Sequence, residues 1–301
     1  MKKAMFILAA VCMTTAVNAR ILRVSNVSGS SAPYTSIEAA HDAANAGDTI
    51  MVDASPTRYG NAYTITLTKK VVLLGPGYWL VDNGVTEEGA SDAFISTLTI
   101  KASETVVKGI KITSSLNIQA SKVVINRCHI SDIDIVRACD NVVISQSYIL
   151  NKISGGTSNY HQITNNIFVN NTTYGHITGM NNCYIAYNTC RSANFQSNAT
   201  NSTFEKNLWK AFEDNGSNNS EKNNSETDII NTQATKDFID KDYYALEIPA
   251  DVVKTYGAFA GDSPYILSGV PSGPVIIDLG VPTTVELGSK LNVTVKIGMV
   301  K

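Results

Sequence analysis

Only 17% of the 301 residues are charged, and no cluster of Lys or Arg forms a basic stripe that would neutralise phosphates, so nucleic acid is not an expected partner. Long apolar runs are missing too. The one near the start, Ala4 to Met13, is too short to span a bilayer. No phosphate loop, dinucleotide fingerprint, nucleophile elbow or zinc-protease helix is present, so no cofactor is required by any motif. Cysteine is sparse: beyond Cys12 there are Cys128, Cys139, Cys183 and Cys190. A chain of this length can build a core without staples, which leaves buried thiols or one or two bridges as the readings. Zinc is disfavoured, because Cys128 and His129 are adjacent in an extended run and point to opposite faces.

What the sequence does have is a repeat. Apolar anchors at Val107, Ile125, Ile144, Ile163, Ile185 and Phe204 recur at intervals of 18, 19, 19, 22 and 19. A second apolar track lies five residues on, at Ile112, Ile130, Ile149, Phe168, Cys190 and Trp209. A third precedes the anchors at Ile100, Ile118, Ile135, Ile153, Ile177 and Phe195. Three tracks per period describe a coil of three strands, and no single coil can bury its own apolar side, so neighbours must stack. Period-two alternation of β-branched residues between Ser, Asn, Asp and Gly is strand chemistry. Of 28 Asn residues, 17 fall between Asn159 and Asn224, and Asn166, Asn188 and Asn207 each follow an anchor by three. Stacked Asn side chains can hydrogen-bond from coil to coil.

Tyr34 to Asp53 reads as an end cap. Ser36 is placed to cap a helix over about 36–46 whose Ile37, Ala40 and Ala44 share a face; Gly47 ends it, and Thr49 to Val52 begin a strand. This segment, with Lys69–Tyr78 and Asp242–Gly269, resembles the first and last coils of the pectin-lyase-like superfamily. The resemblance implies an all-β fold: a right-handed single-stranded parallel β-helix with an N-terminal capping helix. It says little about activity, since that fold serves lyases, hydrolases, esterases and adhesins alike.

The expected organisation is a secretory signal at 1–19, a β-helix over 20–270 and a short antiparallel β unit at 271–301 that covers the far end. Lys2, Lys3, the apolar run and Val17-Asn18-Ala19 carry the export reading, which places the protein in a periplasm, on a surface or outside the cell. Removing Lys2 and Lys3 from 24 basic and 26 acidic side chains leaves about −4. Glu213 to Asp228 is polar and arrhythmic, so an irregular exposed loop is expected there.

By the same resemblance, the outer face of the strands carrying Ile100, Ile118 and Ile135 is the saccharide face. Asp132 and Asp134, two apart, project together and could act as paired carboxylates or bind calcium, with Lys152 one coil up as a base. Two acids so spaced are also ordinary solvated charge. Gly175-His176 is the one element shared with the polygalacturonase pattern, and no Asp-Asp occurs. The favoured reading is an exported β-helix that binds polysaccharide, through Asn117, Tyr148, His176, Tyr184 and Tyr187 on outer faces, or acts as a surface or adhesion element, with calcium optional. The alternative is a polysaccharide lyase, or less readily a glycoside hydrolase, using Asp132 and Asp134.

Overall fold

The computed structural model describes residues 19–60, 63–81, 92–136, 139–155, 163–192, 195–226, 249–280, 290 and 293–300. The signal segment therefore lies almost wholly outside the described residues. The chain is all-β, a parallel solenoid of about eight turns. A ten-stranded sheet, here sheet A, runs from Ile21–Val24 to Ser220–Lys222. A thirteen-stranded sheet B supplies the other two sides of each coil. Its strands are long in the middle coils, for example His129–Ile135, and bend at a register shift between Ile130 and Asp132. That bend divides sheet B into a first arm, before it, and a second arm, after it.

One interior column of sheet A reads Leu22, Ile50, Leu73, Val107, Ile125, Ile144, Phe168, Ile185 and Phe204 in direct register. All nine are buried, and each such side chain removed from water is worth roughly 1.5–3 kcal/mol. The expected column is thus present with one correction: Phe168, not Ile163, is the fourth anchor. Ile163 pairs with Met180 in a separate two-stranded sheet. The true intervals around it are 24 and 17. Thr173 consequently takes the place expected of Phe168, between Ile149 and Cys190. The third track also slips: Ile153 lies beside Ile133, while Ile135 lies beside Gly155.

Two columns of left-handed residues flank sheet A. Before it stand Glu104, Lys122, Asn141, Asn165, Asn182, Asn201 and Asn218; after it stand Gly109, Arg127, Gln146, Asn170, Tyr187, Lys206 and Asn223. Asn is frequent here because its short polar side chain tolerates positive φ. Next to the second column runs a buried ladder. The Oδ1 atoms of Asn171, Asn188, Asn207 and Asn224 accept from the backbone N–H of Ser147, Asn171, Asn188 and Asn207 at 2.9–3.0 Å. Each Nδ2 donates to a carbonyl of the coil below, Ile144, Phe168, Ile185 and Phe204 in turn. The expected Asn stack exists, with Asn171 in the place assigned to Asn166.

The helix is present as Ile37–Ala43, ending three residues earlier than expected because Ala44 is already extended. Ser36 Oγ accepts from Ala39 N, and Ile37, Ala40 and Ala44 are buried over the first coil. Lys69 Nζ donates to the carbonyls of His41, Asp42 and Ala44, placing a cation at the helix C-terminus. Asp48, with Arg20 Nε and Nη2 at 3.1 and 2.8 Å and two backbone N–H donors, is held at a pKa of about 2 by those bonds.

The far end differs from expectation. Glu213–Asp228 is not an irregular loop where it is described: Phe212–Asp214, Ser220–Lys222 and Ser225–Glu226 form one more coil, in register with the last. It looked arrhythmic because Glu221 and Glu226 occupy the inward positions above Phe204 and Trp209. Charge at an inward position blocks further stacking. The terminal strands Gly273–Gly280 and Thr294–Val300 do pair antiparallel. They do not follow from the far end, however. After a helix at Ala250–Thr255, the segment 256–272 runs back along the solenoid as a strap. It passes Lys206, Asn170, Gln146 and Arg127 and ends beside Met51, Leu74 and Gly75 in the early coils.

Candidate functional site

The strap decides which outer face is open. On the first arm, His129, Tyr148, Thr172, Thr189 and Leu208 align on successive coils pointing outward, yet all are buried. Arg127 Nη1 donates to the Val270 carbonyl (2.7 Å), Gln146 Nε2 to those of Ser263 and Pro264 (3.1 and 2.6 Å), and Asn170 Nδ2 to those of Ala258 and Ala260 (3.1 and 2.8 Å). These bonds satisfy strap carbonyls that no sheet pairs. Beneath lies an aromatic clasp. Tyr148 stacks on His129 (centroids 5.1 Å apart), Trp79 meets both rings edge-on at 4.8 Å, and the Tyr78 and Tyr265 hydroxyls bond to each other. Tyr148 was expected on an open glycan face; it is 2% exposed and its hydroxyl accepts from Arg191. Alternation correctly turned it outward, but a segment more than a hundred residues downstream covers it. Burial, helped by the charge of Lys111, holds the His129 pKa down at about 3, so this imidazole is neutral.

The second arm is not covered by the strap. Its outward column reads Thr66, Thr99, Asn117, Asp134, Ser154 and Thr178, one residue per coil; Thr99 is buried and the other five are partly exposed. Ser115, Asp132 and Lys152 form a shorter column beside it. Asp132 and Asp134 therefore share a face as the sequence implied, and Lys152 sits in register with Asp132 one coil on. Asn151 Nδ2 donates to Asp132 Oδ2 at 2.9 Å. Successive residues of such a column are about 4.8 Å apart, the spacing of paired strands. His176, at the corner leading into this arm, accepts the Gln196 N–H on Nδ1 at 3.0 Å. Two aromatic residues not singled out from the sequence bracket this side: Tyr63, 62% exposed, and Tyr174, 50% exposed. The available signal was position, since Tyr63 immediately precedes the strand Thr64–Leu67 and Tyr174 stands two residues before His176.

Tyr184 and Tyr187 are elsewhere. Tyr184 lies on the outer face of sheet A, its hydroxyl donating to Glu205 Oε2 at 3.0 Å, and burial together with that carboxylate pushes its pKa up to about 12. Tyr187 occupies a left-handed turn with Lys206 Nζ 5.4 Å from its ring centroid. Of the five expected binding residues, Asn117 and His176 belong to the second-arm side, while Tyr148, Tyr184 and Tyr187 do not.

A calcium ion takes six to eight oxygen ligands, whereas Asp132 and Asp134 offer two carboxylates with the Lys152 ammonium in the adjoining register position. Among the described residues no three His, Cys, Asp or Glu side chains come together as ligands. The donor set does not fit a calcium shell. Cys128, Cys139, Cys183 and Cys190 are unbridged and buried, and burial raises the pKa of Cys128 to about 12 and of Cys183 to about 11.

Among the described residues no helix is long and apolar enough to cross a membrane. No family model, curated protein or solved structure matches this chain.

Proposed function

We propose that the protein is an exported β-helix, related in architecture to the pectin-lyase-like superfamily, that binds an extended polysaccharide along the second arm of sheet B without cleaving it. The observation that carries this reading is the column from Thr66 to Thr178: short hydroxyl, amide and carboxylate groups repeating once per coil, partly exposed at every member except Thr99, which is buried. Repeated donors and acceptors at one spacing suit a polymer whose own hydroxyls repeat. Tyr63 and Tyr174 supply rings on which sugars stack. Export rests on the Lys2-Lys3 leader and its apolar run.

The competing reading is a lyase or hydrolase acting through Asp132, Asp134 and Lys152, and it has a geometric basis in their shared face. The two are separated by presenting purified protein with acidic and neutral polysaccharides, measuring retention on affinity gels together with unsaturated product and new reducing ends. Retention without product, weakened by Asn117→Ala and Tyr174→Ala and indifferent to chelator, is expected. Product formation that disappears in Asp134→Asn would replace binding with catalysis.

A further inference from the structure

Sheet A has an outer face unlike the other two. The outward column there reads Val72, Val106, Val124, Val143, Ile167 and Tyr184 in unbroken register. An open sheet face ordinarily alternates apolar-in with polar-out. Here the outward residues are aliphatic over five coils, none of them fully buried, with Ile167 38% exposed. The strap covers the first arm and polar groups line the second, so this ribbon is the one long apolar strip left open among the described residues. Strips of this kind mark interaction surfaces.

Its flanking column contains Lys108 and Glu205, separated by Asn126, Ser145, Val169 and Ala186. Consider a two-fold axis parallel to the strands, placed between the coils of Val143 and Ile167. It keeps strand direction, reverses coil order and lays each column on itself, as a two-fold interface requires. Val143 then meets Ile167 of the second copy, Val124 meets Tyr184, and Lys108 meets Glu205 at both ends. Facing sheets with nearly aligned strands are an established packing, about 10 Å apart. We propose that sheet A is the interface for a second copy of this chain, paired with antiparallel solenoid axes, in which Lys108 and Glu205 fix the register.

The strip is narrow, so weak association, in about the micromolar range, is expected. Sedimentation equilibrium of the full chain from about 1 μM to about 1 mM spans that range. Wild-type protein should pass from monomer to dimer, and Val143→Lys should remain monomeric while keeping the wild-type far-ultraviolet spectrum. Lys108→Glu and Glu205→Lys should each weaken the dimer about tenfold by facing like charges, and the double exchange should restore it. Recovery in the double variant separates pairing from a folding defect, because neither position is in the core. A monomer at every concentration, as expected if this face serves a glycan or a different protein, overturns the proposal. So does a dimer indifferent to Val143→Lys, or a double exchange without recovery.

Discussion

The two turn columns beside sheet A have the same backbone and different side chains. Each places one left-handed residue per coil. In the column before the sheet, side chains bond only sideways: Lys70 and Lys122 to Glu104, Asn182 to Asn165, Asn218 to Asn201. In the column after it, Arg127, Gln146 and Asn170 reach outward to strap carbonyls, and the residues just inside form the buried Asn ladder. Backbone geometry therefore favours Asn or Gly, found at eight of the fourteen positions, whereas what lies outside decides where Arg127 and Gln146 stand instead. An open column needs only solvated groups. A covered one needs donors matched to each carbonyl left unpaired, since an orphaned buried group costs about 1–3 kcal/mol.

The sharpest way to break this comparison is within the ladder. Asn188→Ala strips partners from Asn171 N, the Phe168 carbonyl and Asn207 Oδ1, all buried, and is expected to cost about 3 kcal/mol or more by urea unfolding. Asn182→Gly, one coil-matched position on the open side, should stay within about 0.5 kcal/mol. Equal losses would dismiss the distinction. Next in size is Gly269→Ala. Its φ of +54 and a Cβ overlapping the Tyr78 ring and the Arg127 carbonyl leave no room, so the strap should detach locally and become sensitive to proteolysis between 256 and 272. Gly29→Ala, in open space although also at positive φ, should leave that sensitivity unchanged.

A smaller effect comes from Arg127→Ala, which loses bonds to Gln146 Oε1 and the Val270 carbonyl and should cost about 1–3 kcal/mol, against nearly nothing for Lys122→Ala. The smallest lies outside both columns, at the helical cap. Asp48 titrates lower in the folded chain than its ordinary 3.8, so its contribution is complete above that pH and is lost as pH falls toward about 2. Asp48→Asn should remove this part of the acid dependence and leave strap proteolysis as in the wild type.

Much of the coil was legible because burial repeats. Period, strand chemistry, the helix face and the Asn stack all follow from side chains that must recur wherever one coil meets the next. The slip at Ile163 arose because an apolar residue followed by Asn three later occurs twice in succession, as Ile163/Asn166 and Phe168/Asn171, and the longer coil of 24 residues made the wrong pair fit the period. Glu221 and Glu226 hid the last described coil because they put charge in register with Phe204 and Trp209, where the apolar tracks would continue. Tyr148 and the strap were illegible for a different reason: coverage by a distant segment leaves no periodic mark. The Asp132/Asp134 face was readable from alternation alone, while Tyr63 and Tyr174 were visible only once the corners of the coil were placed.

Cys128 and Cys183 give the most direct test of the covered and open columns. Each immediately follows a left-handed residue, Arg127 on the strapped side and Asn182 on the open side, and both thiols are buried and unbridged. Timed alkylation of native protein with peptide mapping should modify Cys183 well before Cys128, and Tyr265→Ala, by loosening the clasp, should accelerate Cys128 alone. Matching rates in the unaltered chain, or a Tyr265→Ala variant that leaves Cys128 as slow as before, would contradict the account.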